Sequence, residues 1–505
     1  MSGYLLGLDV GSSSVKASLL AIDDGRRVDA ATCPKTEMKI NAPRSGWAEQ
    51  EPEMWWRYVG EAIEELRLRH KKEVEAIKAV GISYQMHGLV PVDKSGEVLR
   101  PSIIWCDSRA VSHGNAAFDA LGPEKVLSTL LNSPGNFTAA KLAWVKENEP
   151  ELYDRIWKIM LPGDYIAYRL TGEIRTTYSG LSEGIFWDFT KNGVSKELLD
   201  YFGFDPALLP EAHESFTTLG TVESRIAREI GLPAGVPVSY RAGDQPNNAF
   251  SLRVLEPGEL AATAGTSGVV YGIVDKAVYE TKSRVNTFVH VNHRSGGSQD
   301  NRFGVLLALN GTGILNKWTK QVAADPVEGE PIDYGKINEI AGSAPIGSKG
   351  LVFLPFGNGA ERMLENQDVN ASLHNLNFNI HDRPELFRAA QEGIVFALNF
   401  GIEIMRDMGL SIQTVRAGDA NMFLSPIFRE AFATTTGTTV ELYSTDGSEG
   451  AARGAGVGAG IYKDFDEAYR GLELKERVEP DSAKRDAYRE AYETWQKVLE
   501  ERVLG

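Results

Sequence analysis

Residues 4–22, YLLGLDVGSSSVKASLLAI, place a short polar turn between two apolar runs. Gly11 and the three serines that follow it have the composition of a tight turn between two buried strands. A stretch with the same plan, ELAATAGTSGVVYGIV, lies at residues 259–274, with Gly265 at its turn. The two glycines are 265 − 11 = 254 positions apart, about half the chain. We therefore predict two similarly built halves, each opening with a hairpin whose turn exposes backbone N–H groups.

The segments beyond the first hairpin alternate between helical and strand patterns. Residues 51–70 carry apolar side chains at helical spacing, with Pro52 in the first turn, and residues 77–84, IKAVGISY, read as a buried strand. Such alternation indicates α/β architecture. A long helix is predicted from Pro384 to Gly409, and the charged tail from about Leu472 is predicted to be a solvated terminal helix. We expect an N-terminal domain of residues 1–248 and a C-terminal domain of residues 249–505.

Composition excludes several classes of function. The 505-residue chain has 53 Lys and Arg against 69 Asp and Glu, a net charge of −16, which disfavours a nucleic-acid partner. Two cysteines cannot form a disulfide framework or a cysteine-rich zinc site. The sequence has no run of about 18 apolar residues and no secretory signal, so we expect no membrane association and a cytoplasmic location. A homodimer is retained as a candidate assembly.

Two aspartates at strand ends are the candidate catalytic residues. Asp9 ends the first strand just before the Gly-Ser turn, where it could hold Mg²⁺ through water or cap an ordinary hairpin turn. Asp244 follows the apolar strand of VPVSYRAGDQ and adjoins Gln245, Asn247 and Asn248. A carboxylate among amides suits a polyhydroxy ligand and could take a proton from a hydroxyl, but a helix N-cap is the plainer alternative.

Two further glycine-containing turns follow strand-like runs, at residues 310–313 (NGTG) and 417–421 (AGDAN). Because backbone N–H groups at such turns and at helix N-termini bind anions, four turns spread over both halves favour a nucleotide held between the domains. No Walker A motif is present, and GAGVGAG at residues 454–460 follows a polar turn, which favours a close-packed helix over dinucleotide binding.

These residues and motifs resemble the FGGY family of carbohydrate kinases. The resemblance runs from about Tyr4 to Tyr462, through GLDVGSSSVK, TAGTSG, the loop FLPFGNGAER at residues 353–362 and the helix FRAAQEGIVFAL. Five other segments, GWAEQEPEMWW, QMHG, SIIWCDSR, NFTAAKLAWV and LPGDYIAYRLTG, resemble its xylulokinase branch. The resemblance implies two actin/hexokinase/Hsp70-like (ribonuclease H-like) ATPase domains with a cleft between them. It also implies ATP-dependent phosphorylation of D-xylulose.

The resemblance also implies roles for individual residues. Asp244 would be the catalytic base, and Asp9 would be a catalytic residue and the ligand of Mg²⁺. The sugar would lie mostly on the N-terminal domain, at Gln85, Met86, His87, Trp105, Asp244 and Gln245. ATP would lie mostly on the C-terminal domain, at Gly11, Ser12, Ser13, Lys16, Gly265, Thr266, Gly311, Gly418, Asp419 and Asn421.

Two positions depart from the family pattern. Gln245 stands where Asn often follows the catalytic Asp, and Ala417-Gly418-Asp419 replaces a glycine triplet in the adenosine loop. A kinase for another ketose or polyol, such as ribulose, and a nucleotide-binding switch without phosphotransfer are the alternative functions.

Overall fold

A computed structural model describes residues 3–294, 300–323 and 332–504. The strands are β1 (Tyr4–Val10), β2 (Val15–Ala21), β3 (Arg27–Cys33), β4 (Glu49–Gln50), β5 (Ile77–Tyr84), β6 (Val90–Val92), β7 (Ser102–Ile103), β8 (Lys158–Met160), β9 (Arg175–Thr177), β10 (Trp187–Asp188), β11 (Gly193–Val194), β12 (Glu211–His213), β13 (Val238–Gly243), β14 (Glu259–Ala264), β15 (Gly268–Val274), β16 (Asn286–Val289), β17 (Phe303–Leu309), β18 (Val352–Leu354), β19 (Ser372–His374), β20 (Thr414–Gly418), β21 (Thr439–Ser444) and β22 (Glu473–Val478).

The helices connect and cover these strands. They are α1 (Pro52–Arg69), α2 (Lys71–Glu75), α3 (Val111–Leu121), α4 (Pro123–Leu130), α5 (Thr138–Asn148), α6 (Pro150–Tyr153), α7 (Pro162–Thr171), α8 (Tyr178–Glu183), α9 (Lys196–Phe202), α10 (Ser224–Ile230), α11 (Asp244–Ser251), α12 (Gly313–Ala323), α13 (Tyr334–Gly342), α14 (Arg383–Asp407), α15 (Pro426–Thr436), α16 (Gly447–Gly458), α17 (Phe465–Ala468) and α18 (Arg485–Leu504).

Two large sheets organise the chain, and their central strands follow the same plan. The first has the order β13-β5-β1-β2-β3, and the second has the order β16-β17-β15-β14-β20-β21-β22. In the first, β1 and β2 form an antiparallel hairpin, and β5 and β13 add to β1 in parallel. In the second, β14 and β15 form the hairpin, and β20 and β21 add in parallel. The predicted α/β class and the two predicted hairpins are confirmed.

Helix α16 joins the two halves, because it follows β21 of the second sheet but packs on the first sheet. A Cβ atom at Gly7 would lie 1.8 Å from the Ser448 carbonyl oxygen, and one at Gly81 would lie 2.0 Å from the Ala451 carbonyl oxygen. Only glycine lets the backbone of α16 approach β1 and β5 this closely. The segment GAGVGAG therefore lies within and just after a close-packed helix, as its composition predicted.

The prediction of the long central helix is confirmed, and the prediction for the C-terminal tail is not. Helix α14 begins at Arg383 and ends at Asp407, close to its predicted bounds. The prediction of a solvated terminal helix is wrong in two respects. Residues 473–478 form the edge strand β22, and α18 buries three aromatic side chains, those of Tyr488, Tyr492 and Trp495. Their spacing of four and three residues places them on one face of the helix.

The predicted domain boundary between residues 248 and 249 lies inside α11, and it stays a prediction. Among the described residues, no helix combines the length and the apolar character that crossing a membrane would demand.

Candidate active site

The candidate site lies where three parallel strands of the first sheet end together. Val10 of β1 is paired with Tyr84 of β5, and Gly243 of β13 is paired with the same tyrosine. Because parallel strands share one direction, the residues at and just beyond their carboxyl ends meet at one edge. The strand ends therefore bring together Asp9, the segment 85–87 and Asp244.

Asp9 and Asp244 are neighbouring half-buried carboxyl groups. Burial raises the pKa of Asp9 to about 6, and the negative charge of Asp446 adds to the rise while Ser83 and Lys16 oppose it. Burial raises the pKa of Asp244 to about 7, and the charge of Asp9 adds to that rise. Mutual repulsion between close carboxylates is the condition that a bound cation relieves. The pair is therefore suited to bind a cation and to accept a proton near neutral pH.

Helix α16 lines the other side of Asp9. A Cβ atom at Gly447 would lie 2.5 Å from Asp9 Oδ2 and 3.2 Å from Asn248 Oδ1. Asp446, the N-cap of α16, accepts hydrogen bonds from the backbone N–H groups of Ser448 and Glu449 and forms an ion pair with Lys16. Lys16, predicted to bind ATP, is thus engaged by Asp446, a residue that the sequence analysis did not identify.

His87 adopts a left-handed backbone conformation, with φ of 64°. Its Nδ1 lies 2.8 Å from the Glu183 carbonyl oxygen, and Lys141 Nζ donates to the His87 carbonyl oxygen at 2.9 Å. Burial lowers the pKa of His87 to about 3, and the charge of Lys141 adds to this effect. The neutral ring must therefore carry its proton on Nδ1 to bond the carbonyl, which leaves Nε2 as a hydrogen-bond acceptor.

The other residues predicted to bind sugar surround this strand end. Met86 is buried, and its Cγ would lie 2.6 Å from a Cβ atom at Gly243. Gln85 is buried and donates from Nε2 to Gln50 Oε1 at 3.1 Å. Trp105 is 47% exposed and donates from Nε1 to Ser12 Oγ at 3.3 Å. Gln245 is half-buried beside Asp244.

Two buried ionisable residues of this region were not predicted as site residues from the sequence. Glu183 is fully buried, and its pKa is raised well above the usual range by burial and then by the charge of Asp244. Its Oε2 would lie 2.5 Å from a Cβ atom at Gly243. Burial also lowers the pKa of Lys141 to about 7. The available signal was weak: Lys141 is one charge within the apolar run TAAKLAWV.

The predicted phosphate-binding turns are tight hairpin ends. Gly11 N–H donates to the Ser14 carbonyl oxygen at 3.0 Å, and the backbone oxygens of Ser12 and Ser13 accept from Gln50 Nε2 and from the Met38 N–H. In the second half, the Gly265 carbonyl oxygen accepts from the Gly313 N–H at 2.7 Å. The second turn therefore lies against the N-terminus of α12.

A cleft of about 530 Å³ opens at that point of the second half. Of the predicted nucleotide-binding residues, Gly265, Thr266 and Asn421 line it, together with Gly313 and Asn316. The other predicted nucleotide-binding residues lie outside its lining: Gly11, Ser12, Ser13, Lys16, Gly311, Gly418 and Asp419. Gly311 has a structural reason for being glycine, because a Cβ atom there would lie 1.5 Å from the Pro355 carbonyl oxygen.

A divalent cation would find few protein ligands here. Across the described ranges, no group of three or more His, Cys, Asp and Glu side chains is arranged to hold a metal ion. Mg²⁺ commonly uses one or two carboxylates and completes its shell with water and nucleotide phosphates. Asp9, whose pKa is raised by burial beside other carboxyl groups, fits that limited role.

Comparisons with known proteins cover nearly the whole chain. Residues 4–251 match the model of the N-terminal domain of the FGGY family of carbohydrate kinases, and residues 260–461 match the model of its C-terminal domain. The chain is 28% identical to the xylulose kinase of Escherichia coli (strain K12) over 502 residues, and this alignment covers 98% of each chain. It is 29% identical to the xylulose kinase of Bacillus subtilis (strain 168) over 416 residues, and this alignment covers 82% of this chain and 79% of the relative.

A solved structure agrees with these matches. The crystal structure of the xylulose kinase from Rhodospirillum rubrum superposes with a TM-score of 0.86 over 98% of each chain, at 25% sequence identity. The similarity therefore extends over both sheets and the helices between them.

Proposed function

The chain belongs to the FGGY family of carbohydrate kinases, and we propose that it phosphorylates D-xylulose to D-xylulose 5-phosphate with ATP. The curated relatives named xylulose kinase support this choice of sugar. The observation that carries the mechanism is the half-buried pair of Asp244 and Asp9 at the shared strand edge, where burial and the charge of Asp9 raise the pKa of Asp244 to about 7.

Asp244 is the proposed base. A primary hydroxyl of the sugar loses its proton to the Asp244 carboxylate as its oxygen forms a bond to the γ-phosphorus of ATP. The bond from the γ-phosphorus to the bridging oxygen breaks, and ADP leaves with that oxygen. Because the transition state is loose, the proton is transferred late and the base need not be strong. Base catalysis of this kind contributes about 10²–10⁴-fold.

Positioning makes the larger contribution. Aligning the hydroxyl with the γ-phosphorus avoids an entropic cost of about 7–11 kcal/mol. In the proposal, Met86 and His87 hold the sugar, with Nε2 of His87 accepting a hydroxyl hydrogen. The cleft beside Gly265 and Asn421 holds the nucleotide. Closure of the two halves would then exclude water from the γ-phosphate and limit wasteful hydrolysis of ATP.

Asp9 is the proposed protein ligand of Mg²⁺. The ion, bound with ATP, supplies positive charge that offsets the charge on the phosphate oxygens. The Gly11–Ser13 turn begins two residues after Asp9 and would face the same phosphates. In the proposal, Asp9 acts on the nucleotide, and Asp244 and His87 act on the sugar.

The test is a coupled assay of ADP release with a panel of acceptors under MgATP: D-xylulose, D-ribulose, L-ribulose, xylitol, glycerol and gluconate. The proposal predicts the highest kcat/KM for D-xylulose. A higher kcat/KM for ribulose or a polyol would show that D-xylulose is not the preferred acceptor, but it would leave the kinase mechanism unchanged. Failure of every acceptor to stimulate ADP release would contradict the proposed reaction.

A further inference from the structure

The side chain of Arg362 extends from the second half of the chain to the ring of Phe137 in the first half, which packs against His87. Arg362 begins a short 3-10 turn, Arg362–Leu364, after the loop that precedes it. Its guanidinium carbon lies 5.9 Å from the centroid of the Phe137 ring, and its Nη2 would lie 3.7 Å from a Cβ atom at Gly135. Both contacts belong to the segment between α4 and α5 in the first half.

This guanidinium has no carboxylate partner within residues 3–294, 300–323 and 332–504. Its hydrogen bonds there go from Nη1 to the Ser283 carbonyl oxygen at 3.3 Å and to Ser283 Oγ at 3.5 Å. Arg109, by contrast, forms ion pairs with both Asp107 and Glu49. Burial lowers the pKa of Arg362 to about 10. A half-buried cation without a counter-ion has a desolvation cost that a bound ligand oxygen would offset.

Arg362 faces the same cluster as His87. The His87 ring lies 4.7 Å from the Phe137 ring, edge to face, and the positive charge of Arg362 is one of the causes that lower the pKa of His87. The preceding residue, Glu361, points to the nucleotide side, where it accepts from the Asn310 N–H at 3.0 Å. Consecutive residues of one loop thus contact the turn before α12 and the Phe137 ring that packs against His87.

We propose that Arg362 is a specificity-determining residue that contacts the acceptor sugar and donates to the carbonyl oxygen of a ketose. This inference rests on the proposed kinase function and names the feature of the sugar that the second half recognises. A guanidinium has five N–H donors and no acceptor, so it matches an oxygen that only accepts. In a ketopentose the carbonyl oxygen only accepts hydrogen bonds, whereas each hydroxyl group also carries a hydrogen that needs an acceptor.

The experiment compares Arg362→Gln with the wild type on D-xylulose and on xylitol, the polyol that replaces the carbonyl with a hydroxyl. Xylitol is followed as substrate or, if it is not turned over, by its competitive inhibition constant. We expect KM for D-xylulose to rise about tenfold or more, as for loss of a hydrogen bond to a charged group. The constant for xylitol should change less than threefold, and KM for MgATP less than twofold.

Two variants keep the result interpretable. Arg362→Lys keeps a donor and a charge, so it should lose less affinity for D-xylulose than Arg362→Gln. Arg406→Gln is the matched control, because Arg406 is also half-buried and donates to a backbone carbonyl, that of Thr436 at 2.6 Å, away from the site. It should leave all constants unchanged. Thermal unfolding of each variant establishes that it is folded.

Three outcomes would overturn the assignment of Arg362: unchanged KM for D-xylulose, equal losses for D-xylulose and xylitol, or a main effect on KM for MgATP. A main effect on KM for MgATP would indicate that the guanidinium contacts the phosphates of ATP instead of the sugar. Absence of D-xylulose turnover in the wild type would instead contradict the proposed function, and the same comparison would then use the acceptor found in the panel with its reduced counterpart.

Discussion

Asp9 lies near the end of one strand, and His87 and Asp244 follow two others, so their convergence depends on sheet topology. Each lay at the end of an apolar run, so the sequence predicted them as strand-end residues. Their common edge follows from the parallel pairing of β1, β5 and β13. The left-handed backbone of His87 could not be predicted, because Lys141 and Glu183, which hold it, lie 54 and 96 positions away.

Buried partners of the site were the residues that sequence reasoning missed. Glu183, Lys141 and Arg362 are ionisable residues, and such a residue in a sequence is ordinarily predicted to be exposed. Their burial results from contacts between distant segments, and no local pattern encodes those contacts. Asp244, by contrast, was found because a carboxylate beside several amides has a chemical meaning even before the fold is known.

The titration of Asp244 leads to a prediction for pH dependence. Asp244 must be ionised to accept a proton, and burial with the charge of Asp9 raises its pKa to about 7. We expect kcat/KM for the sugar to fall about tenfold per pH unit below a midpoint at or below about pH 7, since a bound cation lowers the midpoint. Steady-state rates between pH 5 and pH 9 measure it. A flat profile down to pH 5, with the protein still folded, would contradict the base assignment.

Among the elements, the hairpins were predictable and the tail was not. Each hairpin joins apolar runs through a glycine turn, a pattern contained within about 20 residues. Strand β22 has the sequence ELKERV, with its first five residues exposed, so no apolar alternation marks it. It forms by adding to the edge of β21, and charged side chains are common on such edge strands.

The packing of α16 on the first sheet leads to a prediction for stability. A methyl group at Gly81 would lie 2.0 Å from the Ala451 carbonyl oxygen, so Gly81→Ala must displace the helix backbone. We expect the free energy of unfolding to fall by about 1–3 kcal/mol or more, measured by urea denaturation.

The matched control is Gly60→Ala in α1. A methyl group there would meet only Ile230 Cγ2, at 3.8 Å. Because alanine is a better helix former than glycine, this variant should be unchanged or stabilised by up to about 1 kcal/mol. Equal stabilities for Gly81→Ala and the wild type would show that the contact between α16 and β5 is not tightly packed.

The whole molecule repeats one five-strand plan, because β3 pairs antiparallel with β2 as β17 does with β15. The candidate site combines contributions from both copies. The carboxyl groups stand at the strand ends of the first sheet, while the nucleotide cleft lies beside the hairpin turn of the second. The repeat was visible in the sequence as two turns 254 positions apart. The added edge strands and the bridging position of α16 were not, because they depend on how the halves pack together.

The role of Asp244 as the base of an ATP-dependent sugar kinase can be measured with one substitution. The experiment compares ADP release from purified wild type and Asp244→Asn with MgATP and D-xylulose, together with sugar binding by calorimetry. Asparagine has the shape of aspartate but cannot take the proton. We expect kcat to fall at least ~10²-fold while sugar affinity stays within a few-fold of the wild type. Near-normal turnover by Asp244→Asn would contradict it.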